Sequence, residues 1–407
     1  MEPERDYKKE LQERVMDKID LSKEIDDNEL LDMIDIVIKN KSRDYYLSIK
    51  EKQQYRKEIF NSIRRLDVLQ ELVEDSSITE IMINGASNIF IERNGRITKW
   101  EKKFESNRKL EDVIQHIVAG SNRIINEASP IVDARLSDGS RVNIVLPPIS
   151  LCGPIVTIRK FPEETMTMDK LVKIKSLPEE AAEFLKKLVI SGYNIFVSGG
   201  TGTGKTTFLN ALSNYIPGDE RIITIEDSAE LQIKNIPNLV SLEVRNANVE
   251  GDNEISIRDL IKSSLRMRPD RIVVGEVRDA SSIDMLQALN TGHCGMSTGH
   301  ANSPTDMLSR LETMVLLGAD IPLLAVRKQI ASAIDIIIQL GRLRDKSRRV
   351  MEISEVLDCV NGEIRMNCLY KFEEEGETAD GLVLGKLSKT ENSLFHQHKL
   401  LKAGLSV

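Results

Sequence analysis

Aromatic residues are scarce: one tryptophan, seven tyrosines and nine phenylalanines make up 4% of 407 residues. Few base-stacking platforms follow, which weighs against a protein that grips single-stranded nucleic acid. Basic excess is missing too. Lysine and arginine number 56 against 64 aspartates and glutamates, a net charge of -8, so a generic phosphate-neutralising surface is not expected. The four cysteines, Cys152, Cys294, Cys359 and Cys368, form no Cys-x-x-Cys pair and read as reduced filler, not a disulfide frame or zinc site. No apolar run reaches the roughly 18 to 20 residues that a bilayer span needs. The opening Met1-Glu2-Pro3-Glu4-Arg5-Asp6 carries no apolar signal core, so the chain is expected in the cytoplasm.

Hydrophobic residues make up 41% of the chain, ample for true cores, and the length calls for two or three units. Residues 1–74 read as a charged helical extension, with apolar residues at helical spacing such as Leu30, Leu31, Ile34 and Ile38. From 75 to 161 short alternating strands take over. Asn94-Gly95 and Asp138-Gly139 mark hairpins, and an amphipathic helix fits Lys109 to Val118, so an α+β domain is expected. Residues 162–176 read as a polar linker. From 177 to 372 helices alternate with fully apolar strands, Ile195-Phe196-Val197, Ile222 to Ile225 and Ile272-Val273-Val274, the mark of an α/β body around a parallel sheet. Ser303-Pro304 should open a helix, and Asn361-Gly362 a late hairpin. Residues 373–407 read as an acidic, loosely ordered tail.

The strongest chemical signal is Gly199-Gly200-Thr201-Gly202-Thr203-Gly204-Lys205-Thr206, a G-x-x-x-x-G-K-[ST] loop between an apolar strand and a helix-forming run. Gly200 through Gly204, with Lys205, Thr206 and Thr207, would wrap phosphate with backbone N–H groups at the N-terminus of the helix expected from the run Phe208 to Leu212. Lys205 would hold the outer phosphates of ATP, and Thr206 would ligate Mg2+. Glu226 and Asp227 end the next strand at the ligand-binding edge of the sheet, where they are candidates for magnesium or its waters.

Arg271-Ile272-Val273-Val274 ends in Gly275-Glu276, with glycine where many phosphate-loop enzymes place a magnesium-binding aspartate. Glu276 is therefore the candidate to polarise the attacking water. His300, after Ser297-Thr298-Gly299, is placed to sense the γ-phosphate or to contact Glu276. An arginine that neutralises the transferred group is also required, and Arg135, Arg141, Arg159, Arg266, Arg268, Arg271 and Arg278 are candidates. Any one of them is more often a surface ion pair. Arg141 and Arg159 stand out because they lie near the interdomain boundary.

In order, Gly199 to Thr207, Thr224-Ile225-Glu226-Asp227, Met267 to Arg278, and Ser297 to Asn302 resemble the Walker A, Asp box, Walker B and His box of the secretion-superfamily ATPases. Within that superfamily the sequence looks most like the CpaF-type ATPases of Tad (Flp) pili, close to the ATPases of type IV secretion, over roughly residues 78–356. The resemblance implies a RecA-like ATPase domain, a smaller PAS-like α+β domain and a homo-hexameric ring. It implies that Arg141 and Arg159 reach the phosphates, and that turnover works an inner-membrane platform protein; the acidic balance and the scarce aromatics add the expectation of no nucleic-acid partner. Glu276, Glu226, His300, Arg141 and Arg159 become the expected catalytic set. A nucleic-acid translocase and a nucleotide-dependent scaffold are the rival classes. Gly299 departs from the family pattern, where a bulkier residue, commonly leucine, precedes the histidine.

Overall fold

The computed structural model describes residues 7–20, 22–23, 25–93, 95–120, 124–161, 166–245 and 254–406. Asn94 of the expected Asn94-Gly95 turn and residues 162–165 of the expected linker lie outside them. The chain divides into two compact units, Met1–Glu163 and Glu164–Val407.

The first unit opens with α1 (Lys8–Met16), α2 (Asp27–Asp44) and α3 (Ile49–Arg64). Asp26 caps α2, and Ser48 with Glu51 forms a capping box on α3, so donors at both helix starts are satisfied by side chains that the sequence supplies. The helical spacing of the apolar residues works as a seam: Leu11, Val15, Leu30, Ile34, Val37, Ile38 and Ile59 bury together as a core of their own. Lys41 is buried beside them. Its charge is held by Glu10 at 2.6 Å and by the faces of Tyr7 and Tyr45, each 4.5 Å away.

After a 3-10 turn (Asp67–Leu69) and α4 (Gln70–Glu74) come β1 (Ile78–Asn84), β2 (Ile89–Arg93), β3 (Arg96–Lys99), α5 (Asn107–Ala119), β4 (Ile131–Arg135), β5 (Arg141–Val145) and β6 (Ile155–Arg159). They make a six-stranded sheet in the order β3-β2-β1-β6-β5-β4. Alternate residues of β1, Ile81 and Ile83, point into a core that α5 closes with Leu110, Val113, Ile114 and Ile117.

The second unit starts with α6 (Met168–Lys173), inside the stretch expected to be linker. Met168 and Leu171 are buried in the main core, apolar residues too few to show a period. There follow α7 (Glu179–Ile190), β7 (Ile195–Gly199), α8 (Lys205–Ser213), β8 (Ile222–Glu226), β9 (Leu239–Glu243), α9 (Ile257–Ser264) and β10 (Arg271–Val274). Next come α10 (Ser281–Asn290), β11 (Cys294–Gly299), α11 (Pro304–Gly318), α12 (Leu323–Ala333), β12 (Ile336–Arg342), β13 (Arg348–Val360), β14 (Glu363–Glu377), β15 (Val383–Lys389) and α13 (His398–Lys402). The sheet order is β15-β14-β13-β12-β7-β11-β10-β8-β9, parallel from β12 to β9 and antiparallel from β12 to β15.

The central strands are buried on both faces, which is why they read as unbroken apolar runs. Ile195 and Val197 of β7, and Ile336 and Ile338 of β12, enter one core; Phe196 and Ile337 between them enter the other. This doubly covered mixed α/β sheet is the fold class expected from the alternation of helices and strands.

The loose tail expected after Glu373 is corrected by the fold. β14 runs on to Glu377 and pairs with β15, while Val383, Leu387, Leu394 and Leu400 are buried. The acids are tolerated because they lie on the solvent side of the hairpin, where Arg344 reaches Glu374 at 2.7 Å and Glu377 at 2.8 Å. Among the described residues no helix is long and apolar enough to cross a membrane.

Candidate functional site

Three parallel strands, β7, β10 and β11, deliver the signature residues to one edge of the sheet. After β7 the chain turns through Gly202 and Gly204, whose φ of 73° and 90° suit glycine, and enters α8 directly at Lys205. Thr203 ties the loop by donating to the Gly200 carbonyl at 2.9 Å. Thr206 and Thr207 sit in the first turn of α8, half-buried and exposed. Gly200, Thr201, Gly202, Thr203 and Gly204 thus form a tight glycine-rich turn between β7 and α8, the place where the motif puts its phosphate loop.

Lys205 is buried. Its Nζ lies 3.1 Å from the Gly200 carbonyl and 3.2 Å from His300 Nδ1. On its other side His300 presents Nε2 to Glu276 Oε1 at 3.1 Å, and Glu276 Oε2 accepts from Arg278 at 3.0 Å. Arg278 also lies 3.5 Å from Asp227. A run of contacts, Lys205, His300, Glu276, Arg278, Asp227, therefore joins the phosphate loop to the ends of β11, β10 and β8. Glu276 Oε1 is buried and faces His300 Nε2 at 3.1 Å, off hydrogen-bond geometry, so among the described residues it keeps acceptor capacity for a ligand or water.

Since an ammonium can only donate, Nδ1 of His300 is assigned as the acceptor and Nε2 carries the hydrogen. Burial first, and then Lys205, holds the His300 pKa below its ordinary 6.5, while Glu276 pulls the other way. Burial also lowers the Lys205 pKa from 10.5. The unfolded chain therefore holds the His300 proton more tightly than the folded one. The stability tied to neutral His300 is present above pH 6.5 and is lost as pH falls through the lower folded value. Any turnover that needs neutral His300 should decline only as pH falls through that lower folded value, because a second positive charge then faces Lys205, and His300→Gln should lack that limb. A pH–rate profile with the same acid limb in both proteins would refute the assignment.

Glu226 is not an open carboxylate at the sheet edge. It is 3% exposed, and its oxygens accept backbone N–H groups of Glu230 and Leu231 at 2.9 and 3.0 Å. It braces the loop after β8, which leaves Asp227 as the solvent-facing acid of the pair. The glycine at 275 has the same cause: a Cβ there would sit 2.9 Å from Glu226 Cγ. Glu226 fills the room beside Gly275 in which an aspartate side chain would otherwise stand. At Gly299 a Cβ would meet Met307 at 2.7 Å and the Phe196 ring at 3.0 Å, so Met307 from α11 occupies the space of the missing larger side chain.

A family model described as type II/IV secretion system protein matches residues 64–377. The chain belongs to this family. Among its curated relatives is a putative conjugal transfer protein of Mycobacterium tuberculosis, 32% identical over 333 residues, which cover 80% of this chain and 94% of that one. The type IV secretion system protein VirB11 of Bartonella henselae is 30% identical over 325 residues, 70% of this chain and 90% of the relative. The fold resembles that of the ATPase DotB of Legionella pneumophila, with a TM-score of 0.51 and 22% identity over 70% of this chain and 79% of that one.

In this type II/IV secretion system protein the remaining arginine candidates separate. Arg278 belongs to the site. Arg271 does not: it is buried against Glu220, 2.7 Å away, and the carbonyls of Val189 and Ile190, a structural post under the sheet. Arg135, Arg141 and Arg159 stand directly opposite one another on β4, β5 and β6, one row on one face of the first unit's sheet, with Glu80 next in line. Sequence reasoning missed Gln339. Its buried amide donates to the Ala301 carbonyl at 3.2 Å, fixing the segment just after His300. A lone amide inside Ile336-Ile337-Ile338-Gln339-Leu340 was the available signal. Thr298 Oγ1 similarly ties β11 to the Gly275 carbonyl at 2.8 Å, setting Glu276 and His300 side by side.

Proposed function

We propose that the chain is an ATP-hydrolysing motor of a pilus or secretion machine. The observation that carries this reading is the contact of Lys205, His300 and Glu276 at the phosphate loop, in a member of the secretion family. The N-terminus of α8 and Lys205 attract the phosphates of ATP. Glu276, whose Oε1 faces His300 Nε2 at 3.1 Å and keeps acceptor capacity, accepts a hydrogen bond from the attacking water and aligns its oxygen with the γ-phosphorus. The bond from that phosphorus to the bridging oxygen of ADP then breaks. Neutral His300 connects the state of the γ-phosphate side to Lys205. Thr206 and Asp227 fit Mg2+ shared with the nucleotide, where it would neutralise phosphate charge; Glu226, committed to the loop backbone, does not.

Two features favour a ring. The arginine row of Arg141 and Arg159 offers the positive charge that phosphoryl transfer needs, and the resemblance to CpaF-type ATPases of Tad pili implies a homo-hexamer in which these side chains reach ATP. Such a ring, in the cytoplasm, works on an inner-membrane platform protein. ATPase activity measured across a size-exclusion profile should follow the hexamer, and Arg141→Ala should lower it by about a thousandfold. Activity in a monomer, insensitive to Arg141, would overturn the ring reading. The relatives named for conjugal transfer and type IV secretion favour a second machine, a type IV secretion system. Deleting the gene and scoring piliation against conjugative transfer separates the two.

A further inference from the structure

The turn between β12 and β13 carries Arg342, Arg344, Lys346, Arg348 and Arg349 with one acid, Asp345, within eight residues. Part of this charge is answered locally. Arg344 pairs with Glu374 and Glu377, Arg349 donates to the Lys175 carbonyl, and the Asp345 carboxylate accepts from the backbone of Ser347 and Val383. Arg342 and Arg348 are different. They stand directly opposite each other in the ladder, both are exposed, and among the described residues neither has a carboxylate within ion-pair distance. Like charges facing each other across a strand pair are unfavourable unless an anion shares them.

Both lie against the phosphate loop. Arg348 Nε donates to the Gly202 carbonyl at 2.9 Å. A Cβ on Gly204 would sit 3.5 Å from Arg348 Cδ, and one on Gly202 would sit 3.9 Å from Arg342 Nη1. In the sheet β7 has β11 on one side and β12 on the other. His300 and Glu276, on the β11 and β10 side, mark where the γ-phosphate is handled. A nucleotide held with its γ end there must run across the loop towards β12, where these two guanidinium groups wait.

We propose that Arg342 and Arg348 form a clamp for the nucleoside end of the nucleotide, binding its α-phosphate, and that Arg348 also positions the loop through Gly202. This rests on reading the chain as a nucleotide-binding protein and adds to it the residues that hold the end remote from the chemistry. Guanidinium groups suit this task because their donors fork onto phosphate oxygens.

The test is calorimetric binding of ADP and of a non-hydrolysable ATP analogue to the full chain, with Arg342→Ala, Arg348→Ala and the double variant. Both ligands share the α-phosphate, so each single substitution should weaken both by the same factor, about ten to a hundredfold. KM for ATP should rise with it while kcat stays within about threefold. Arg342 makes no hydrogen bond to the loop, so its variant keeps the Gly202 tether and reports on the ligand alone. Unchanged ADP affinity in the double variant, a loss confined to the ATP analogue, or a fall in kcat matched by a lower melting temperature would each overturn the clamp. Wild-type protein that binds neither nucleotide overturns the nucleotide reading itself.

Discussion

Glu276→Gln should leave ATP affinity near that of the wild type while lowering turnover by about a hundred to ten thousandfold. Glutamine keeps the shape of the side chain and its place beside His300 and Arg278, so binding survives. What it loses is the negative charge of the carboxylate, whose buried Oε1 lies 3.1 Å from His300 Nε2. Single-turnover measurement at saturating ATP, with binding followed separately, distinguishes the two effects. Near-normal hydrolysis would show that another group orients the water.

Lys205→Ala should cut ATP affinity by about a hundredfold or more, since a buried ammonium that hydrogen-bonds a phosphate is among the stronger polar contacts. It also has a second readout that loss of folding would not imitate. Lys205 is one of the groups that lower the His300 pKa, and its removal leaves the opposing pull of Glu276 in place. The His300 resonance in nuclear magnetic resonance titration should then shift to a higher pKa in the variant. A weakened affinity with an unmoved histidine would mean that the 3.2 Å contact does not persist in solution.

The body of the fold was legible because buried parallel strands are short and wholly apolar. Ile195 to Val197, Ile222 to Ile225 and Ile272 to Val274 stand out from polar surroundings, and each lies on a strand of the sheet. The phosphate loop was legible because its glycines and lysine have fixed spacing. Two readings failed for a common reason. Residues 168–173 and 383–402 each offer only two to four buried apolar side chains, too few for a period, and they fold because the main core receives Met168, Leu171, Leu387, Leu394 and Leu400. Glu226 misled in another way. A carboxylate at the end of a strand looks available, and whether it faces ligand or backbone depends on the following loop, whose N–H groups the sequence does not orient. The arginines at 342 and 348 were invisible because they meet the phosphate loop across more than a hundred intervening residues.

The interlock of Gly275 and Glu226 also bears on how this chain can change over time. With only 2.9 Å between a Cβ at 275 and Glu226 Cγ, any larger residue at 275 requires a smaller one at 226. Shortening Glu226 alone releases the backbone of Glu230 and Leu231. The two positions are therefore coupled in space, and a substitution at either is felt at the other.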